Sequence, residues 1–509
     1  MSNLKVLYRH ALHYLTGRIS LMLLGFISFP VLTRIFSVSN YGTMALVLKI
    51  VLFFTVVAKF GLQNSVQRFY AEDGASQDAS KQQKYYSTIF FGAVAIALSV
   101  LFLFIGGLFL TPPSFVSSGL RYLLLIACPL ILTRSLQPTL IGFLRAEGKT
   151  KTYNIVEVSI RATTVILVCV LLLTWRSSLE VFLLTTLVIE VLGITVLYDF
   201  LRRRNLLSLA AIDWAYFRSA INFAFPLIGY ELASVVLDSG DRVLVQKFLG
   251  AEQLGYYSAA YNLSTYAEEA LMVPINLALF PIYMRIWVEK GVDETQRFLS
   301  SGLNIFLALA VGVVCVVFLT SRDIVVVLAS QKFQDAYRLL PILVIGLLIY
   351  AVHIFLNAAL LIYRKTATMT ALVLCACGMN LALNLVLIPR IGIQGAAIAT
   401  LLSYLLLVIL MARISFRLMP LKVSCVAFLT DLVSAAITYG LVSQITIRRA
   451  LPSAFVKGCL GVVLYCALAA LLNPLIREQI INQFRILKSR QNSAVSESVK
   501  CHKTFSRIP

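Results

Sequence analysis

The apolar residues of this chain fall into runs of about 20 residues, one after another along almost its whole length. A run of that length crosses a hydrocarbon layer roughly 30 Å thick. No water reaches the backbone there, so a crossing segment must close its own hydrogen bonds, which a helix does. A membrane β-barrel would show alternating segments of about 10 residues instead, and no such pattern occurs. Composition agrees: 59% of the residues are hydrophobic, 13% are charged and the mean hydropathy is +0.87. A soluble domain carries about 25% charged residues. The fold class is therefore an all-α polytopic membrane protein, with fourteen spans at 15–36, 43–63, 87–110, 120–143, 155–173, 181–200, 221–237, 257–280, 299–319, 340–361, 368–388, 396–411, 423–441 and 455–472. No small-residue cleavage site follows the first run, so it reads as a retained span.

Loop charge sets the orientation. With the termini cytoplasmic, inner loops carry Arg68, Lys81 and Lys84, then Arg145, Lys149 and Lys151, then Arg202, Arg203 and Arg204, then Arg364 and Lys365. Outer loops carry fewer cations, among them Arg34, Arg121, Arg176, Arg242 and Lys247. The net charge of +21 then reflects topology and attraction to anionic lipid heads. It is too dispersed for nucleic acid. The segment 476–509 is basic and polar and is expected to be a disordered cytoplasmic tail.

Two motifs carry little. Nine cysteines are scattered, mostly inside the spans; Cys375 and Cys377 form a CxC without a second ligand pair, so they read as small packing residues and no metal site is expected. The stretch GFLRAEGKT (142–150) has five residues between its glycines where a phosphate-binding loop has four, and no strand precedes it. The chain is not read as an enzyme, and no cofactor is expected beyond Na⁺ or H⁺ driving transport.

One corner occurs twice. FPVLTRIFSVSNYGTMALVLKI (29–50) joins the first two spans, and VQKFLGAEQLGYYSAAYNL (245–263) joins the seventh and eighth, with Lys247 in the place of Arg34 and Gly255 in the place of Gly42. RAEGKTKTYN (145–154) and IYRKTATMTA (362–371) echo each other after the fourth and tenth spans. Residues 1–205 and 206–418 thus read as two copies of a six-helix lobe, with two helices appended at 419–475. An even-numbered unit restarts on the same side of the membrane, so the axis relating the copies runs along the membrane normal, as in transporters that open alternately to either side of a site between paired lobes.

LTRIFSVSNYGTMALVLKIV and KFGLQNSVQRFYAE (59–72), with LVLIPRIGIQGAAIATLLSYLL (385–406), resemble the signatures of the polysaccharide flippases, the Wzx-type O-antigen and exopolysaccharide members of the multidrug/oligosaccharidyl-lipid/polysaccharide exporter superfamily. The resemblance runs from about residue 8 to 474. It implies twelve core helices in two lobes around a cavity, and movement of an undecaprenyl-diphosphate-linked oligosaccharide from the inner to the outer leaflet of the cytoplasmic membrane. Lipopolysaccharide biosynthesis, with a polymerase or glycosyltransferases as functional partners, goes with that reading. The lipid II flippases and the multidrug antiporters of the same superfamily are the alternatives; a membrane polymerase or ligase would need a long outer loop, and every outer loop here is short.

That cargo would need cations at membrane depth, where an unpaired one costs about 2.5–3.5 kcal/mol. The first half supplies them: Arg134 and Arg161 in mid-span, with Lys49, Lys59 and Arg18 nearer the interfaces. These are the candidate substrate-binding residues, except that Arg18 is read as snorkelling. Glu157 stands four residues before Arg161, so Arg161 either binds cargo or is satisfied as a Glu157–Arg161 pair. The second half is acidic. Asp238 and Arg242 are also four apart and are expected to pair at the outer end. Glu231, Glu268, Glu269 and Asp431 are candidates for coupling to an ion, either by protonation or with Na⁺. His353 reads as a packed histidine, and Asn357, Asn380 and Asn384 could offer oxygens or sugar contacts. The expectation is a cationic lobe for the diphosphate facing an acidic lobe for the coupling ion.

Overall fold

The computed structural model describes residues 2–478. The expected tail lies outside the described residues from 479 onward. The elements are helices: α1 (Ser2–Ile35), α2 (Val38–Lys59), α3 (Leu62–Phe69), α4 (Ala79–Leu110), α5 (Ser118–Ala127), α6 (Pro129–Ala146), α7 (Thr150–Thr174), α8 (Leu179–Arg203), α9 (Trp214–Ile324), α10 (Leu340–Ala351), α11 (His353–Ile362), α12 (Thr366–Ile391), α13 (Ile393–Leu418), α14 (Cys425–Ser443) and α15 (Ala450–Leu472). Twelve stretches among the described residues are long and apolar enough to cross a membrane. One of them runs for 102 residues. At 1.5 Å per residue that is several times the thickness of the hydrocarbon layer, so the chain must turn within it. It does so at Gly250, whose φ of +84° suits a residue without a side chain. Beyond that turn the Tyr261 hydroxyl lies 2.7 Å from Asp238, 23 residues earlier in the sequence.

Helix starts follow local chemistry. Ser37 and Ser117 cap α2 and α5 by accepting the N–H groups of Asn40 and Leu120, and Ser178 and Ser424 do the same for α8 and α14. The break between α2 and α3 falls at Phe60 and Gly61, both with positive φ. Where five residues separate the glycines of the phosphate-loop look-alike, the charges are used internally: Glu147 accepts from Arg204 at 2.7 Å and from the Tyr86 hydroxyl at 2.7 Å, and pairs with Lys149 at 2.6 Å. Burial alone would raise the Glu147 carboxyl, but these three donors hold it below the usual carboxylate range.

The described residues divide into two compact units. The first comprises the chain up to Arg285 together with Ile324–Leu418. Its surface displays large apolar side chains such as Phe102, Leu103, Leu110 and Val196, whereas its bulkiest fully buried side chains are Arg242 and the tyrosines 41, 85, 86, 257 and 404. Lipid is as apolar as leucine, so burying leucine gains little in a bilayer and the interior is free to be polar. The two repeated corners meet inside this unit. A Cβ on Gly42 would lie 2.1 Å from the Ala251 carbonyl oxygen, and a Cβ on Gly255 would lie 2.1 Å from that of Val38. The contact is reciprocal: Val38 and Gly42 of the first copy meet Ala251 and Gly255, each 213 residues further on, with the partners exchanged.

The second unit is Ile286–Asp323 with the chain from Met419 onward, so the grouping by contact cuts across the 206–418 segment read from the repeat. Here Tyr465 of α15 packs on Gly312 and its hydroxyl donates to the Ala308 carbonyl at 2.5 Å, an approach that a larger residue at 312 would block. Asp431, 1% exposed, accepts the Asn473 amide at 2.8 Å. The coupling-ion candidate on α14 thus has an internal partner.

Candidate functional site

A cavity of about 680 Å³ lies in the first unit among α1, α2, α6, α7, α8 and the part of α9 around 262–273. Arg18, Lys49, Arg134, Glu157, Arg161, Glu190 and Glu269 all reach its wall. Helix geometry explains the convergence on α7: Glu157, Arg161, Thr164, Val165 and Val168 recur at spacings of three and four and so share one stripe.

Neither pair spaced four residues apart forms, the alternative Glu157–Arg161 or the expected Asp238–Arg242. Arg161 has no ion pair among the described residues; its side chain is exposed to the cavity, within electrostatic reach of Arg134 and Glu190. Glu157 is taken instead by the Tyr153 hydroxyl one turn earlier, and that hydroxyl in turn accepts from Arg145 at 2.6 Å. The second correction concerns Asp238 and Arg242. The Asp238 carboxylate pairs with Lys49 at 2.8 Å and accepts from Ser239 and Tyr261 at 2.6 and 2.7 Å. Arg242 donates to the Asp238 carbonyl rather than its carboxylate, pairs with Asp241 at 3.5 Å and lies 4.2 Å from the centre of the Tyr261 ring. It is 1% exposed, so this pairing is internal to the protein. The turn at Gly250 brings the tyrosines onto this pair, and Tyr257 donates to Asp241 from the same returning segment.

Arg134 is held from α8. Its Nε donates to Glu190 Oε1 at 3.0 Å, and Thr133 donates to the other oxygen at 2.6 Å. Lys59 pairs with Glu231, which also accepts the Gln63 amide at 3.2 Å. Two of the candidate cations are thus tied to two of the second half's acids, Lys49 to Asp238 and Lys59 to Glu231, rather than facing them across open space. Glu269 reaches the cavity and feels the charge of Arg18; Glu268 is its neighbour on α9. Asp431 belongs to the other unit. Asn384 donates to both the carbonyl and the side-chain oxygen of Asn380 at 2.9 Å. The His353 ring stacks on Tyr350 with centroids 4.2 Å apart, as a packed histidine does.

Sequence reasoning missed Glu190, Asp241 and the tyrosines around it. Glu190 did carry a signal, since a carboxylate in the middle of a span marks a partner or a pathway. The cross-helix pairs make a direct prediction. Lys59→Glu alone strands two like charges and is expected to lower accumulation in the membrane, and Lys59→Glu with Glu231→Lys is expected to restore it, as measured by quantitative immunoblotting of membranes; equal loss in both variants would refute the tie.

These features define a multi-pass helical membrane protein of a transporter fold. The structure is similar to that of the lipid II flippase MurJ in its inward closed conformation, with a TM-score of 0.73 over 93% of this chain and 100% of that one, at 15% identity. The chain belongs to the family of polysaccharide biosynthesis proteins, whose model matches residues 7–287. It is 21% identical over 291 residues to the probable low-salt glycan biosynthesis flippase Agl15 of Haloferax volcanii, covering 55% of this chain and 61% of that protein. It is 22% identical over 289 residues to the succinoglycan biosynthesis transport protein ExoT of Rhizobium meliloti, covering 56% and 55%. The match therefore spans somewhat over half the length of these relatives.

Proposed function

We propose that the protein is a flippase that carries an undecaprenyl-diphosphate-linked oligosaccharide from the inner to the outer leaflet of the cytoplasmic membrane, by alternating access and with ion coupling, and that its termini are cytoplasmic. The names of its relatives support a glycan cargo. The observation that carries the reading is Arg161, a cation on a cavity wall without an ion pair among the described residues, with the Arg134 guanidinium nearby. An intramembrane cation is costly enough that something must meet it. A diphosphate does, through two-pronged charge-assisted hydrogen bonds. Glu269, on the same wall, with Glu268 beside it, is the place for a coupling proton or cation. Lys49, Lys59 and Glu231 are then ties between the halves rather than direct ligands in this state. The fold likeness to MurJ keeps a lipid II flippase as the second reading, since the same diphosphate would meet the same arginines. A multidrug antiporter would be served poorly by two guanidinium groups.

The test is a deletion in a strain lacking related exporters. Lipid-linked glycan should accumulate on the cytoplasmic face, scored by accessibility to an added glycosidase in oriented vesicles. Delivery to the outer leaflet at the normal rate would end the proposal.

A further inference from the structure

A second cavity of about 350 Å³ adjoins the first; Arg134, Gln137 and Glu157 line both. It extends along α6 toward Arg145, that is, toward the loop at 147–149, and α3 closes it with Gln63, Asn64 and Gln67. The two walls differ in kind. The larger cavity sets its charges among mostly apolar residues, and the smaller one is rich in neutral amides.

The amides are placed as a face. Gln63, Asn64 and Gln67 fall at spacings of one and four on α3, and Gln137 stands one turn from Arg134 on α6, about 4.5 Å along the axis. The side chains of Asn64, Gln67 and Gln137 have no hydrogen-bond partner on the protein among the described residues. The Gln63 side-chain oxygen is buried and receives no donor, although its nitrogen is spent on Glu231. The nearby Arg145 is already engaged with Tyr153. What the pocket offers a ligand is therefore a set of groups that each donate and accept, with little free charge. Sugar hydroxyls, which also donate and accept, match such a set; a phosphate or a simple cation does not.

We infer that the smaller cavity is the sugar subsite: it holds the oligosaccharide next to the diphosphate, while Arg134 at the shared wall marks the boundary between glycan and phosphate. The inference rests on the flippase reading and adds to it the part of the protein that selects the glycan. Its position beside the 147–149 loop makes it the part of the path that cargo arriving from that side meets early.

The experiment uses the full chain in proteoliposomes and two probes: lipid-linked oligosaccharide extracted from the source strain, and undecaprenyl diphosphate bearing a single N-acetylglucosamine. Gln67→Leu with Gln137→Leu is expected to slow transport of the oligosaccharide by about tenfold, the worth of a few lost hydrogen bonds, and that of the single-sugar lipid by less than about twofold. Gln137→Met, the milder change, should shift the same ratio in the same direction. Equal slowing of both probes, or of neither, overturns the subsite and leaves the flippase reading standing. Wild-type protein that moves neither probe would refute the flippase reading, and the subsite falls with it.

Discussion

Arg161→Ala is expected to reduce glycolipid transport by about a hundredfold, the loss of a charge-assisted contact, while leaving the amount of protein in the membrane unchanged. The two halves of that statement have separate causes. Arg161 has no ion pair on the protein among the described residues, so removing it strands no carboxylate and costs the fold little. Lysine at 161 keeps the charge but loses the planar fork, and should retain part of the rate. Arg134 behaves differently because Glu190 depends on it. Arg134→Ala leaves a carboxylate with only Thr133, and breaking such a pair costs about 3–5 kcal/mol when it is buried; Arg134 and Glu190 are only partly exposed, at 26% and 10%, so a sizeable share of that loss applies. Accumulation should fall with Arg134→Ala and recover with Arg134→Ala plus Glu190→Gln, without recovery of transport. The readouts are flux of labelled lipid-linked glycan in proteoliposomes and protein per membrane mass. An Arg161→Ala variant with full flux would remove the cationic site from the mechanism.

The largest effect on stability is expected at the crossing of the two corners. Adding a methyl group at Gly42 or Gly255 places it 2.1 Å from a backbone oxygen of the opposing corner. Backbone cannot rotate away as a side chain can, so the helices must separate, at a cost toward the upper end of the 1–3 kcal/mol, roughly, seen for overpacking. Gly42→Ala and Gly255→Ala should therefore lower the melting temperature in detergent by several degrees. Gly106 provides the contrast. It is also in a helix, but nothing lies within 4 Å of its Cβ position, and Gly106→Ala should gain about 0.5–1 kcal/mol from helix propensity alone. If Gly42→Ala melts like Gly106→Ala, the contact between the corners is not what holds them together.

The helices were legible because the bilayer leaves few choices for a long apolar run. The repeat was legible too, since Gly42 and Gly255 occupy matching places in the two corners; that the two glycines touch was not, because an echo in sequence carries no distance. Within the site, the residue types were readable and their partners were not. Arg134 finds its carboxylate 56 residues away on a separate helix, beyond any rule of local spacing. Glu157 and Arg161 satisfy the four-residue rule and still do not pair, because Tyr153 competes for the carboxylate from the same stripe. Asp238 is drawn to Lys49, 189 residues earlier, by the packing of α9 on α2. In a low-dielectric interior the best-placed donor wins, and placement is set by the tertiary fold.

The charges on the large cavity also bear on how the cycle would respond to voltage. Arg18, Arg134 and Arg161 are matched in number by Glu157, Glu190 and Glu269, and Lys49 is answered by Asp238. Counted by residue type, the lining of the empty cavity is close to neutral. A bound diphosphate adds two negative charges to that cavity. In a membrane that is negative inside, outward passage of each such charge gains about 2.3 kcal/mol per 100 mV, whereas the return of the empty carrier moves almost none. Membrane potential would thus drive the loaded half of the cycle, and would act on the return half only through the coupling ion carried there.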